Sequence, residues 1–204
     1  MIIKRFVFPV HPHGQNSYIV ACEKTREAVM IDVGDFSEEI IAFLKDRNLT
    51  LRYILLTHAH GDHVGGVKRL KDLTGAEVFF DPRDESTLRR AQESLQWDYD
   101  GLQMIDHTLK EGDTIHLGTL TFTVFDTPGH TPGSISFLSG NALFVGDALF
   151  AGSVGGTPDY ETFTTQVTAI KGKLFPLGDH IEVYNGHGPS TTLGIERLFN
   201  PFLD

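Results

Sequence analysis

An apolar run that ends in a group of metal-ligand side chains is the feature that most constrains how this chain can fold. The run Tyr53-Ile54-Leu55-Leu56-Thr57 is continuous and short, as is typical of a strand buried on both faces. It leads directly into His58-Ala59-His60-Gly61-Asp62-His63. A strand buried on both faces needs packed layers on both sides, and loops at strand ends are where functional sites are usually built. The sequence therefore predicts a layered α/β fold with a site at the end of this strand.

The rest of the chain mixes strand patterns with helix patterns. The hydrophobic periodicity predicts strands at 2–8, 16–22, 27–33, 77–80, 113–117, 120–126, 134–138, 141–146 and 181–184. It predicts helices at 37–48, 64–73, 84–95, 161–174 and from about residue 190. No internal repeat or Pro/Ser-rich linker divides the 204 residues, so we expect a single domain over 1–204.

Composition excludes several classes of protein. The chain has 17 Lys and Arg against 27 Asp and Glu, a net charge of −10, which argues against nucleic acid as a partner. Its single cysteine, Cys22, excludes an intramolecular disulfide framework. The N-terminus lacks the apolar stretch of a signal peptide, and no apolar run approaches the length that spans a bilayer. We therefore expect a cytoplasmic protein with no membrane partner.

The spacing of the four ligand types in the histidine-rich loop suggests two metal positions. His58 and His60 lie two residues apart on an extended segment, so their side chains point the same way and can chelate one ion. Asp62 and His63 follow Gly61, where the chain turns, and so face a different position. One short loop can therefore serve two neighbouring metals.

Three more candidate ligands each stand beside a glycine at the end of a β-type run: His130, Asp147 and His187. With the loop they make five imidazoles and two carboxylates, a mixed nitrogen and oxygen set suited to zinc, iron or manganese. The other five histidines lack such a context. Of these, His116 and His180 are expected on the surface or in turns, His11 and His13 could reach the mouth of the site, and His107 has no assigned role.

The motif His58-x-His60-x-Asp62-His63 resembles the signature of the metallo-β-lactamase superfamily. The chain is more closely similar to its small glyoxalase II-like members, the hydroxyacylglutathione hydrolases. The stretches that carry this similarity are Ile54-Leu55-Leu56-Thr57-His58, Thr127-Pro128-Gly129-His130-Thr131-Pro132-Gly133, Gly146-Asp147-Ala148-Leu149-Phe150-Ala151-Gly152 and Gly186-His187-Gly188-Pro189-Ser190-Thr191-Thr192.

The resemblance implies a fold and a set of ligands. The fold is an αββα sandwich of two mixed β-sheets flanked by helices, in a monomer or homodimer. Two divalent metal ions are implied, zinc in the first place, with iron or manganese as alternatives. One metal would be held by His58, His60 and His130, and the other by Asp62, His63 and His187. Asp147 would bridge the two, and Asp62 and Asp147 would also orient the attacking hydroxide.

The resemblance also implies an activity. We expect a metal-dependent hydrolase of small-molecule thioesters such as S-lactoylglutathione, acting by attack of a metal-bridging hydroxide. One alternative is a mononuclear iron persulfide dioxygenase that uses His58, His130 and Asp147, a set of two histidines and one carboxylate. Another is a superfamily hydrolase of lactones or β-lactams.

The sequence departs from its relatives in two places. We expect it to lack the C-terminal helical domain with which larger glyoxalase II enzymes bind glutathione. Where small members usually have Arg-Thr-Asp, this chain has Gly156-Thr157-Pro158-Asp159, a difference that bears on the substrate and weakens the dioxygenase alternative. Lys171, Lys173 and Arg197 are the cations we expect to contact substrate carboxylates.

Overall fold

The secondary structure follows the predicted order of elements closely. The computed structural model describes all residues, 1–204. The strands are β1 (Ile2–Phe8), β2 (Gln15–Ala21), β3 (Glu27–Ile31), β4 (Thr50–Leu55), β5 (Glu77–Phe80), β6 (His107–Thr108), β7 (Thr114–Leu117), β8 (Leu120–Asp126), β9 (Ile135–Ser139), β10 (Ala142–Gly146), β11 (Leu149–Phe150), β12 (Ser153–Val154), β13 (Glu182–Asn185) and β14 (Thr191–Thr192). The helices are α1 (Glu38–Asp46), α2 (Gly61–Val64), α3 (Val67–Thr74), α4 (Glu85–Ser94), α5 (Tyr160–Ala169) and α6 (Leu193–Phe199).

The strands form two six-stranded sheets and one small hairpin. The first sheet has the order β1-β2-β3-β4-β5-β6, and the second has the order β14-β13-β10-β9-β8-β7. Both are mixed: β3, β4, β5 and β6 run parallel in the first sheet, and β10 runs parallel to β13 in the second. Strands β11 and β12 pair with each other alone. Two mixed sheets are what the sequence predicted.

Alternate residues of the central strands point into different cores, because successive side chains of a strand face opposite sides of its sheet. In β3, Ala28 and Met30 pack with the apolar faces of α1, α3 and α4, whereas Val29 and Ile31 pack between the two sheets. In β10, Phe144 belongs to the same inter-sheet core, whereas Leu143 lies in a third core with Leu193 of α6, against which Val167 of α5 also packs. The layers are therefore helix, sheet, sheet, helix, and the predicted αββα sandwich is confirmed.

Side-chain caps set the start of three helices. Ser37 accepts a hydrogen bond from the backbone N–H of Glu39 at the start of α1. Asp159 and Thr162 form a reciprocal capping box at the start of α5. Thr192 accepts from the backbone N–H of Ile195, so the last helix begins at Leu193 rather than near residue 190.

The helix predicted at 64–73 is divided in two. It breaks at Gly65 and Gly66, where the backbone passes against residues 34–36. A Cβ atom on Gly65 would lie 2.6 Å from the carbonyl oxygen of Gly34, and one on Gly66 would lie 2.4 Å from the carbonyl carbon of Asp35. Only glycine fits at this approach, and the contact separates α2 from α3.

The helix predicted at 161–174 also differs: α5 ends at Ala169 and continues into a π-helical turn, Ile170–Leu174, instead of running on as one helix. No helix in the structure is long and apolar enough to cross a membrane.

Candidate metal centre

The candidate ligands come together because several strands end at one edge of the sandwich. His58 follows β4, which runs parallel to β3, and His187 and Asp147 follow the parallel strands β13 and β10. His130 lies in the loop between β8 and β9. The carboxyl ends of neighbouring parallel strands open at the same edge of a sheet, which is where α/β proteins commonly bind ligands.

The seven predicted ligands form two groups of three with one carboxylate between them. Ligand atoms of His58, His60 and His130 all lie within 4.8 Å of one another. The same holds for a second group: Asp62, His63 and His187. The short helix α2, which starts at Gly61, turns Asp62 and His63 away from the extended backbone at His60. The loop therefore faces two positions, as its spacing predicted.

Asp147 lies between the two groups. Its Oδ2 is 3.5 Å from Nε2 of His130 and 3.3 Å from Nε2 of His187, and its Oδ1 is 3.3 Å from Nε2 of His63. A carboxylate that reaches both groups is placed to bridge two cations.

Several donor atoms of the centre lack a good hydrogen-bond partner within the protein, although Nδ1 of His60 lies 2.9 Å from Nε2 of His130. His58 Nε2 and Asp147 Oδ1 are buried and have no hydrogen-bond partner, which is costly unless something else binds them. Nε2 of His187 lies 3.4 Å from both Asp62 Oδ2 and His63 Nε2, longer than a good hydrogen bond. Ligands at about 2.0–2.2 Å from a tetrahedral zinc are themselves about 3.4 Å apart. The residues present therefore fit a pair of metal ions.

The outward-facing nitrogens of three histidines are bound to protein acceptors. Nδ1 of His63 lies 2.8 Å from Oδ2 of Asp32, and Nδ1 of His187 lies 2.6 Å from the carbonyl oxygen of Gly14. Nδ1 of His130 lies 2.6 Å from the carbonyl oxygen of Gly156. If each Nδ1–H donates to its acceptor, the Nε2 lone pair is left facing the centre, which is the usual arrangement of metal-binding histidines.

Asp32 contacts the candidate ligands of the centre, and the sequence did not single it out. Besides binding His63, its carboxylate accepts from the backbone N–H and the hydroxyl of Thr57, at 2.8 Å and 2.7 Å. Thr57 Oγ1 in turn lies 3.1 Å from Nδ1 of His58. Asp32 thus orients one histidine of each group. The available signal was its place at the end of β3, next to the strand that carries His58.

Asp84 is the second missed residue, and it joins two ligand loops. Its Oδ2 accepts from the backbone N–H of Ala59 and from the hydroxyl of Thr131, both at 2.9 Å. Its Oδ1 accepts from the backbone N–H of Gly133 at 2.7 Å. Ala59 lies between His58 and His60, and Thr131 follows His130. Burial raises the pKa of Asp84, although these hydrogen bonds oppose the shift.

The electrostatics of the metal-free centre leave His58 and His60 neutral but favour protonated His63 and His187. Burial opposes protonation of His63 and His187, but Asp147 and a second nearby carboxylate raise the pKa of His63 well above its ordinary value and that of His187 to about 9, so metal binding must displace their protons. Burial, together with neighbouring histidines, lowers the pKa of His58 well below its ordinary value and that of His60 to about 4, so both rings are neutral at pH 7. Burial alone would raise the pKa of Asp147, but His63 and His187 hold it well below its ordinary value. Neutral imidazole and ionised carboxylate are the forms that bind metals.

Two chambers open on the centre. One has a volume of about 720 Å³ and is lined by Asp62, Asp147 and His187, and by His11, His13 and Phe150. The ring of His11 lies 4.4 Å from that of His187, so His11 and His13 do reach the mouth of the site. The other chamber, of about 620 Å³, lies between α4, α5 and the loop that carries His130. His60 and His130 line both chambers.

The cations expected to contact the substrate lie elsewhere. Lys171 donates to the carbonyl oxygen of Asp204, Lys173 pairs with Glu111, and Arg197 pairs with Asp179. None of the three lines either chamber, so that expectation was wrong. The lysines are held by Asp204 and Glu111, partners distant in sequence that helical spacing alone does not reveal. His107, His116 and His180 are exposed, and the last two were predicted to be so.

The chain belongs to the metallo-β-lactamase superfamily, whose family model matches residues 11–192. The fold and the two groups of His and Asp side chains agree with this membership. The chain is therefore a metal-dependent hydrolase of that superfamily, and its side chains are compatible with a dinuclear metal site.

Three similar proteins illustrate the range of the family. The chain is 36% identical to the hydroxyacylglutathione hydrolase GloC of Haemophilus influenzae over 97% of both sequences. It superposes on the crystal structure of the B3 metallo-β-lactamase BLEG-1 with a TM-score of 0.86 and 35% identity, covering 99% of each chain. It superposes on ETHE1 from Myxococcus xanthus with a TM-score of 0.81 and 29% identity, covering 98% of this chain and 84% of the other.

Proposed function

We propose that this protein hydrolyses glutathione thioesters such as S-lactoylglutathione at a centre of two divalent metals. His58, His60 and His130 would hold one metal, Asp62, His63 and His187 would hold the other, and Asp147 would bridge them. The observation that carries the proposal is the complete second group of ligands joined to the first by Asp147, since a single-metal enzyme needs only one group. The similarity to GloC along nearly the whole chain supports a glutathione thioester as substrate.

The bound metals supply a Lewis acid and lower the pKa of water towards neutrality, so that a strong nucleophile is available at pH 7. Zinc is the expected ion, and iron or manganese suits the same donors.

The chain's own residues hold and orient the reacting groups. Asp62 and Asp147 reach the space between the two ligand groups, where each carboxylate can accept a hydrogen bond from the attacking water and aim it at the thioester carbon. Asp32 contacts Nδ1 of His63 and the hydroxyl of Thr57, and so holds candidate ligands of both groups in position. Cys22 is buried just beyond β2, beside Thr119, and takes no part.

The second candidate is a persulfide dioxygenase with one iron on His58, His130 and Asp147. Two histidines and one carboxylate are the set that mononuclear iron oxygenases use, and these three side chains lie together here. The second candidate leaves Asp62, His63 and His187 without a function, although their donor atoms converge as closely as those of the first group. We therefore favour the hydrolase.

The test combines metal analysis with a panel of substrates. Purified protein is assayed for metals per chain, for hydrolysis of S-lactoylglutathione, for oxygen uptake with glutathione persulfide, and for cleavage of a β-lactam. The proposal predicts two metals and turnover of the thioester. Oxygen uptake on the persulfide without thioester hydrolysis would establish the dioxygenase instead, and β-lactam cleavage alone would refute both.

A further inference from the structure

The chamber between α4 and α5 contains a cation that the proposed chemistry does not use. Thr87, Arg90, Ala91 and Ser94 line it from α4 at positions i, i+3, i+4 and i+7, so one face of the helix turns towards the cavity. His60 and His130 form its inner end. Its volume of about 620 Å³ is within the range of small-molecule sites, about 300–1,000 Å³.

Arg90 is the single arginine or lysine in the lining of either chamber. Its side chain is exposed, and no carboxylate lies within ion-pair distance of it. Neighbouring cations are occupied: Arg89 pairs with Glu85, and Arg83 pairs with both Asp81 and Asp126. Arg90 is thus a cation free to bind a ligand, at the edge of a cavity that leads to the proposed metal ligands.

The second chamber has a different character. Its lining combines Phe150, Ala151 and Val154 with histidines and with the carboxylates of Asp62 and Asp147, and it contains no lysine or arginine. Because His60 and His130 line both chambers, a thioester whose carbonyl lies beside them would extend one half into each cavity. The α4–α5 chamber therefore suits an anionic half of the thioester, and the chamber beside Phe150 suits an uncharged half.

On the basis of the proposed function, we propose that Arg90 binds a carboxylate on the thiol half of the substrate in the α4–α5 chamber. A protein with a net charge of −10 repels an anionic substrate unless a local cation compensates. The peptide half of a glutathione thioester carries two carboxylates, and a guanidinium binds a carboxylate through two parallel hydrogen bonds. The uncharged acyl half then extends into the chamber beside Phe150.

The threonines and the serine around Arg90 suit this role. Thr162 donates its hydroxyl hydrogen to Asp159, Thr165 donates to the carbonyl of Glu161, and Ser94 donates to the carbonyl of Ala91. With their hydrogens committed, these oxygens can accept from an ammonium or an amide N–H of the same peptide. The cavity wall thus offers one cationic donor and several acceptors.

The test compares two thioesters that share an acyl group. S-lactoylglutathione carries carboxylates on its thiol half, and the lactoyl thioester of N-acetylcysteamine carries none. Arg90→Gln is expected to raise KM for the glutathione ester about tenfold, the effect of losing one charge-assisted pair of about 1.4 kcal/mol. It should leave kcat for the glutathione ester unchanged, and it should change neither KM nor kcat for the N-acetylcysteamine ester. Arg90→Lys should bring KM for the glutathione ester part of the way back to the wild-type value. Arg89→Gln is the matched control one residue away and should behave as the wild type.

A binding measurement separates this inference from the proposed activity. The unreactive thioether S-methylglutathione is titrated into metal-loaded wild type and Arg90→Gln by calorimetry, and the variant should bind about tenfold more weakly. Equal Kd values, or equal losses of activity on both esters, would overturn the role of Arg90. Binding that depends on Arg90 in a protein that hydrolyses no thioester would refute the proposed reaction and leave the carboxylate site standing.

Discussion

Replacing Asp84 by asparagine should weaken the metal site without touching a ligand. The carboxylate of Asp84 joins the loop of His58 and His60 to the loop of His130 through Ala59, Thr131 and Gly133. Asparagine keeps the shape of the side chain and exchanges one acceptor oxygen for an NH₂ donor. Whichever way the amide is turned, at least one backbone N–H then faces another donor.

The size of the effect follows from these contacts. In the less damaging orientation the amide oxygen keeps Ala59 and Thr131, and the NH₂ group faces the N–H of Gly133. A buried donor left unpaired costs about 1–3 kcal/mol, and the weakening of the two remaining charge-assisted bonds adds about 1 kcal/mol. We expect Asp84→Asn to lower the free energy of unfolding by about 2–4 kcal/mol in total.

The assay is chemical denaturation with and without bound metal. If Asp84 positions His60 and His130, the metal-bound form should lose more stability than the metal-free form, because metal affinity falls as well, by about tenfold. Asp106→Asn is the matched control. The carboxylate of Asp106 accepts from the backbone N–H of Val78 and pairs with Lys71, and neither partner lies in a segment that carries a candidate ligand. It should destabilise both forms alike, and the same pattern in Asp84→Asn would refute the positioning role.

Three further predictions concern the centre itself. Gly186→Ala places a Cβ atom 2.1 Å from Oδ1 of Asp147 and should cost at least one metal per chain by elemental analysis; a variant with two metals would contradict it. Asp147→Ala should lower both metal content and hydrolysis, and near-normal values of both would disprove the bridge. In the metal-free protein, burial alone would lower the pKa of His187, but Asp147 and Asp62 raise it from 6.5 to about 9. Protonated His187 therefore stabilises the fold below about pH 6.5, and this stabilisation is lost as the pH rises through about 9. Measurements of the free energy of unfolding against pH should show this loss, and it should be absent in His187→Gln.

The grouping of the candidate ligands could be predicted from the sequence because its geometry is local. The i, i+2 spacing of His58 and His60, and a turn at Gly61, are enough to divide four ligands between two positions. His130, Asp147 and His187 were recognisable because each follows a strand beside a glycine, and parallel strands open at a common edge.

What the sequence could not predict depends on tertiary contacts. Asp84, just before a helix, reads as an ordinary capping residue until the loop of Gly133 is packed against it. The break after α2 arises because residues 34–36 pass close to Gly65, a contact between distant segments. Arg90 could not be preferred over Lys173, since which cation is paired and which faces a cavity is decided by the packing of α4 and α5.

The most direct test of the central claim is a metal titration of the metal-free protein. Zinc is added in steps while hydrolysis of S-lactoylglutathione is followed through the loss of thioester absorbance. If His58, His60 and His130 hold one ion, Asp62, His63 and His187 the other, and Asp147 bridges them, the rate should rise until two equivalents per chain are bound and then stay constant. Full activity at one equivalent, with no change at the second, would contradict a reaction that depends on both.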